Sequence, residues 1–164
     1  MAFAGEATRV YAVADDLAKR WPDDTIVKFN YLPTIHARLA LSRKDSTKAT
    51  EALQPAAPYE LATPGSSAIS FCLYPVFARG EAYLAAHQGN EAAAEFQKIL
   101  DHRGIVLNEP IGALAHLQLG RAYAMQGDTT KARAAYQDFL TLWKDADPDI
   151  PILKQAKAEY AKLQ

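Results

Sequence analysis

Four histidines, one cysteine and a short acidic run are the residues here that could ligate a metal or do nucleophilic and acid–base chemistry. The histidines are His36, His87, His102 and His116, and no two stand three or four apart. None can therefore share a helix face as a metal-binding pair. Asp145-x-Asp147-x-Asp149 opens like a calcium loop. Ile150 stands where that loop needs glycine, and Ala156 where it needs the closing glutamate, so the run reads as a solvated turn. Asp15-Asp16 and Asp23-Asp24 read the same way. Cys72 lies in the apolar run Ile69–Tyr74 and reads as a small buried hydrophobe. Paired only with a distant histidine, it makes no nucleophile. Phosphate transfer would need a glycine-rich phosphate loop, and neither G-x-x-x-x-G-K nor G-x-G-x-x-G occurs. His102-Arg103 is followed by Gly104 rather than aspartate, and no Asp-Phe-Gly triplet is present. The residues thus predict no catalytic, cofactor or metal site.

Composition narrows the remaining classes. The chain has 164 residues, 49% of them apolar, enough to fill the core of one domain or a small array. Lys and Arg number 18 against 19 Asp and Glu, a net charge of −1. That balance gives no electrostatic reason to bind nucleic acid or an acidic membrane. No apolar run reaches the length of a membrane-spanning helix, and no basic-then-apolar leader opens the chain. Neither observation sets a compartment, since the sequence reads as opening mid-repeat. One cysteine excludes an internal disulfide.

The elements that would carry any site follow from an internal repeat. Gly80-x-x-Tyr83, then Ala92-x-x-x-Phe96 and Ile99, recurs as Gly120-x-x-Tyr123, Ala132-x-x-x-Tyr136 and Phe139, each pair 40 residues apart. Gln97 and Gln137, and Leu100 and Leu140, obey the same shift. Gly and Tyr three apart share one helix face, as do Ala and an aromatic four apart. Gly89-Asn90 and Gly127-Asp128 break the pattern between them, so each unit reads as a helical hairpin. Small residues would let its two helices approach, with Tyr83, Phe96, Tyr123 and Tyr136 filling space around the crossing.

The rest of the chain fits that plan. Residues 1–22 read as a half-repeat, with Val10, Val13, Ala14 and Leu17 as its apolar face. Residues 23–54 form a hairpin, in which Asp24 caps a helix over 25–42 that is kinked or restarted near Pro33. Residues 55–70 read as an irregular, mobile loop with one short turn at 59–61. Residues 71–104 and 110–144 are hairpins joined by a connection over 104–109, with Pro110 opening a helix and Asp128 capping another. Residues 151–164 are a capping helix with Leu153, Ala156, Tyr160 and Leu163 inward, and Lys154, Lys157, Glu159 and Lys162 elsewhere.

Leu119-Gly120-x-x-Tyr123 with Ala132-x-x-x-Tyr136 resembles the tetratricopeptide repeat signature, and Gly80-x-x-Tyr83 with Ala92-x-x-x-Phe96 is a looser copy. Val76 and His116 stand in place of the signature tryptophan, so His116 reads as a packed core histidine. Gly104 and Lys144 replace the closing proline, and the period exceeds the usual one of about 34. The runs 94–104 and 134–147 are also similar to the C-terminal repeat region of large bacterial eukaryotic-like serine/threonine protein kinases, notably acidobacterial ones.

The resemblance implies an all-α, right-handed superhelical solenoid. It implies a non-catalytic module that binds a protein or peptide, attached to a larger bacterial protein such as a kinase. A ligand-sensing regulatory domain and a spacer or dimerisation segment are the alternatives. In such solenoids the first helix of each hairpin lines the inner face. Projecting the repeat puts Tyr31, Thr34 and Arg38 there, then Tyr74, Phe77 and Glu81, then Leu114, Leu117 and Arg121. Tyr31, Arg38, Tyr74, Phe77, Glu81 and Arg121 are the candidate partner-binding residues, an Arg-Glu-Arg row suited to an extended peptide of mixed charge. Some repeats of the family clamp chaperone C-terminal carboxylates. Thr34, Phe77 and Leu117 supply none of the Lys or Asn such a clamp uses.

Overall fold

Three turns of the same geometry organise the chain. The computed structural model describes residues 7–62 and 73–163. Among them it forms nine α-helices and no strand. These are α1 (Ala7–Arg20), α2 (Leu32–Ser42), α3 (Ser46–Leu53), α4 (Tyr74–Ala85) and α5 (Gly89–Asp101). They continue with α6 (Arg103–Val106), α7 (Pro110–Met125), α8 (Thr129–Leu142) and α9 (Pro151–Ala161). Lys44, His87 and Gly127 close α2, α4 and α7 in the left-handed region, at φ of 61°, 58° and 78°. The N–H one residue further on reaches back to the helix each time: Asp45 to Ala40 O at 3.0 Å, Gln88 to Tyr83 O at 2.9 Å, Asp128 to Tyr123 O at 3.0 Å. This is the Schellman stop, and it turns the chain straight into the partner helix. Asp45 and Asp128 then cap the second helix, accepting from the N–H groups of Lys48 and Lys131 at 3.0 Å.

The turn position corrects one expectation. The left-handed residue of the second hairpin is His87, not Gly89. Gly89 instead begins α5 and lies against α7. A Cβ there would stand 2.9 Å from Gln126 Cγ, while Gln126 Nε2 donates to Gly89 O at 2.8 Å. Its glycine serves a close approach between hairpins.

Helices α2 and α3, α4 and α5, and α7 and α8 pair as hairpins, and each second helix packs on the next hairpin's first (α3 on α4, α5 on α7). The first helices α2, α4 and α7 are also neighbours in that order, with α1 against α2 and α9 against α8. Gly80 faces the ring of Phe96 and Gly120 that of Tyr136 across their own hairpins, so close that a Cβ would fall 2.6 and 2.8 Å from ring carbons. Phe96 and Phe139 are fully buried, as are Ala92 and Ala132. Tyr83 and Tyr123 pack half-buried against the core. Ala37, Ala49 and Leu53 join Ala78 and Ala82 in the first interface. Leu117, Tyr136 and Phe139 join Leu153 and Ala156 in the last.

Other expectations sharpen or change. Asp24 caps the helix before Pro33, accepting from Val27 N–H at 2.9 Å. That helix passes through a π turn, Val27–Tyr31, closed by Leu32 N–H to Val27 O, before α2 begins. The wider turn directly precedes Pro33, which has no N–H to donate back to it. The segment after α3 is not irregular from its start. Gln54–Tyr59 is a 3-10 helix, Tyr59 stacks on Phe29 with centroids 4.2 Å apart, and Glu60 is buried. Glu60 pairs with Arg79 and with Lys98 Nζ at 3.2 Å, and Arg79 also meets Glu95 at 3.0 Å. Those ion pairs hold the segment on α4 and α5. The rest of the loop, with Cys72, and the start of the chain lie outside the described residues. The connection over 104–109 overlaps a helical turn, α6. Val13 is 40% exposed instead of joining Val10 and Ala14 in the core.

Candidate functional site

The first helices of the three hairpins share one face, and that face is a groove. Its volume is about 880 Å³, and its lining comes from α1, α2, α4, α7 and α9 with Trp143. Arg38, Tyr74, Phe77, Glu81 and Arg121, predicted from the repeat, all line it, as do Thr34 and Leu114. Tyr31 is not among the lining residues. Leu117 is fully buried against α8 and α9 rather than turned into the groove.

Apolar side chains make most of the surface. Val10 and Val13 come from α1, Ile35 from α2, Phe77 from α4, Leu114 from α7 and Ile152 from α9. Phe77 is buried and stacks edge-on against Phe96 at 5.6 Å, so it is both core and floor. Tyr74 donates to Glu109 Oε2 at 2.9 Å. Burial, then the hydrogen bond and charge of Glu109, push the Tyr74 phenol up to about 12.

The charges form a continuous row along one wall. Arg38 of α2 pairs with Glu81 of α4. Gln118 of α7 donates to Glu81 Oε1 at 3.3 Å and accepts from Arg121 Nη1 at 3.1 Å. Arg121 grips Glu159 of α9 with two bonds, Nε to Oε2 at 2.8 Å and Nη2 to Oε1 at 2.9 Å. Tyr136 of α8 completes the row by donating to Glu159 Oε2 at 2.8 Å. Burial raises the Glu81 carboxyl above its ordinary range despite Arg38, and lowers the Arg38 guanidinium despite Glu81. Burial also works against the Glu159 carboxylate, but the bonds from Arg121 and Tyr136 outweigh it and hold that group below its usual value.

Two members of the row escaped the sequence. Glu159 reads as an outward charge of α9, yet it follows buried Ala156 by three residues and so borders the inward face. Gln118 interrupts the apolar run Leu117-Gln118-Leu119, and a polar group inside such a run needs an internal partner. The row also changes the meaning of the predicted Arg-Glu-Arg series. Its charges answer one another and are not presented as rim charges.

Among the described residues, those first weighed for chemistry stand apart from the groove. His116 is mostly buried with Nδ1 3.5 Å from Asp138 Oδ2, and burial lowers its imidazole despite that carboxylate. Its side chain is 12% exposed, and it borders a separate depression with Leu107, Leu142 and Arg103. No cluster of three or more potential metal ligands occurs among the described residues, and none of their helices is long and apolar enough to cross a membrane. Comparison with protein-family models, with curated proteins and with solved structures finds no match to this chain.

Proposed function

We propose that the chain is a non-catalytic binding module, a right-handed stack of tetratricopeptide-like hairpins that seats a segment of a protein partner in its groove. One observation carries the reading: five side chains predicted from the repeat, on α2, α4 and α7, line one groove of about 880 Å³. The recurring Schellman turns and the two Gly-on-aromatic crossings support the stack. The resemblance of residues 94–104 and 134–147 to kinase C-terminal repeats supports attachment to a larger bacterial protein.

The partner is chosen by apolar contact more than by charge. The groove's ions are satisfied internally, which disfavours the mixed-charge peptide suggested by the Arg-Glu-Arg series. Tyr74 and Phe77 are the aromatic anchors, and changing both to alanine is expected to weaken a bound partner by roughly 1–4 kcal/mol. Calorimetry with a partner isolated on the immobilised chain measures this, with helicity checked by circular dichroism. Undiminished affinity in the double variant would rule out the groove as the partner's seat.

A second reading, a ligand-sensing domain, is favoured by α1 and α9. Both contribute lining residues, so the groove is flanked by the terminal helices as well as by the hairpins.

A further inference from the structure

The groove's chemistry selects its occupant. Its ions balance one another: Arg38 with Glu81, Arg121 with Glu159. Gln118 uses both ends of its amide between them, and Arg121 spends Nε, Nη1 and Nη2 on Glu159 and Gln118. A carboxylate entering here would compete with Glu81 and Glu159 for their cations. An ammonium would compete with the arginines. Either would lose its water in a groove with little left to replace it.

Size is the second constraint. The space of about 880 Å³ lies inside the range of small-molecule sites, about 300–1,000 Å³. A partner helix is a cylinder about 10–12 Å across, roughly 500 Å³ per turn, so fewer than two turns would fill it. Val10, Val13 and Ile152 bring apolar surface from the terminal helices to the apolar wall of Ile35, Phe77, Ile111 and Leu114.

From these observations we infer that the groove binds an uncharged, largely apolar small molecule. This rests on the ligand-sensing reading and gives it a ligand class. Charged amphiphiles are disfavoured by the paired ions. Occupancy would tie α1 and α9 to the hairpins between them, which gives a sensor its signal.

The test uses three probes of one chain length: 1-decanol, decanoate and decylammonium. Trp143 lines the groove, and the only other tryptophan, Trp21, is half exposed. In a Trp21→Phe background Trp143 fluorescence reports the groove together with the depression beside His116, which Trp143 also lines. Calorimetry gives the affinities, and Val13, which lines only the groove of the two, assigns the site. Decanol is expected to bind at least tenfold more tightly than either ion. Val13→Trp, at an exposed position, is expected to fill the groove and weaken decanol tenfold or more without lowering the melting temperature. Equal binding of all three probes, no Trp143 response to decanol, or an unchanged affinity in Val13→Trp would each overturn the inference. If the probes fail while Tyr74→Ala/Phe77→Ala still releases a protein partner, the binding-module reading survives and only the ligand class falls. If both fail, the groove is not a binding site.

Discussion

Adding one methyl group at Gly80 or Gly120 tests the hairpin crossing directly. A Cβ at Gly80 would lie 2.6 and 2.7 Å from Phe96 Cζ and Cε1, and one at Gly120 would lie 2.8 and 3.0 Å from Tyr136 Cδ2 and Cε2. Neither ring has room to withdraw: Phe96 is fully enclosed, and Tyr136 is tethered through its hydroxyl to Glu159. Two effects oppose each other. Alanine improves helix propensity over glycine by about 0.8–1 kcal/mol. Overpacking a filled core costs about 1–3 kcal/mol, and contacts this short with immobile rings belong at the upper end. Each substitution should therefore destabilise by about 1–2 kcal/mol net, a fall in Tm of about 2–8 °C for a chain of this size. Gly104→Ala is the control. It sits in α6 with nothing within 4 Å of the added carbon, so only propensity acts and stability should hold or rise. Phe96→Ala alone should cost about 3–5 kcal/mol. In that background Gly80→Ala should turn neutral or stabilising, because the ring it struck is gone. Urea unfolding of these five variants and the parent reads all of this. If Gly80→Ala and Gly120→Ala behave like Gly104→Ala, the two crossings do not exist as described.

Two further outcomes concern the ion pairs and the phenols. Arg79→Met leaves Glu60 buried with Lys98 as its one remaining cation among the described residues, which should cost about 3–5 kcal/mol, the usual penalty for breaking a buried pair. Faster hydrogen exchange at 54–60 than at α8 would show that the 3-10 segment is what comes loose, and equal protection would refute it. For Tyr74 the folded-state phenol lies above its unfolded value of 10, at about 12. The folded state then keeps its proton longer, so stability is intact below pH 10 and falls as pH rises from 10 toward 12. Tyr136 is also raised, chiefly by burial and then by Glu159, and acts in the same direction. Tyr74→Phe should flatten that alkaline loss in part, and an unchanged slope between pH 10 and 12 would show that Tyr74 titrates normally.

What the sequence could show depended on whether a contact is written in one residue type. The 40-residue period was legible because Gly beside an aromatic ring is the same solution in two hairpins. The first hairpin hides the same crossing. Ala37 and Leu53 stand where Gly80 and Phe96 would fall on a 43-residue shift, and both are fully buried. A slightly larger residue on one helix meets a smaller one on the other. Total volume is kept while the signature disappears. The Schellman turns hide likewise, since only one of the three has glycine at the left-handed position.

The repeat placed Arg38, Glu81 and Arg121 on one face, but the partners of these charges were illegible for a different reason. A lone Arg or Glu in a helix reads as solvated, and its partner can lie anywhere in the chain. Arg38 meets Glu81 across 43 residues, and Arg121 meets Glu159 across 38. Such pairs add little net stability compared with apolar packing. Their effect here is geometric. A wall of leucines in place of Arg38, Glu81, Gln118 and Arg121 would interdigitate with Phe77 and Leu114 and fill the space. Side chains that satisfy one another along the wall have no attraction across it. Every link of the row except Arg121–Gln118, which lies within α7, also joins two different helices, from α2 through α4 and α7 to α9 and α8. It therefore fixes the spacing of the helices that frame the groove while leaving the groove itself unfilled.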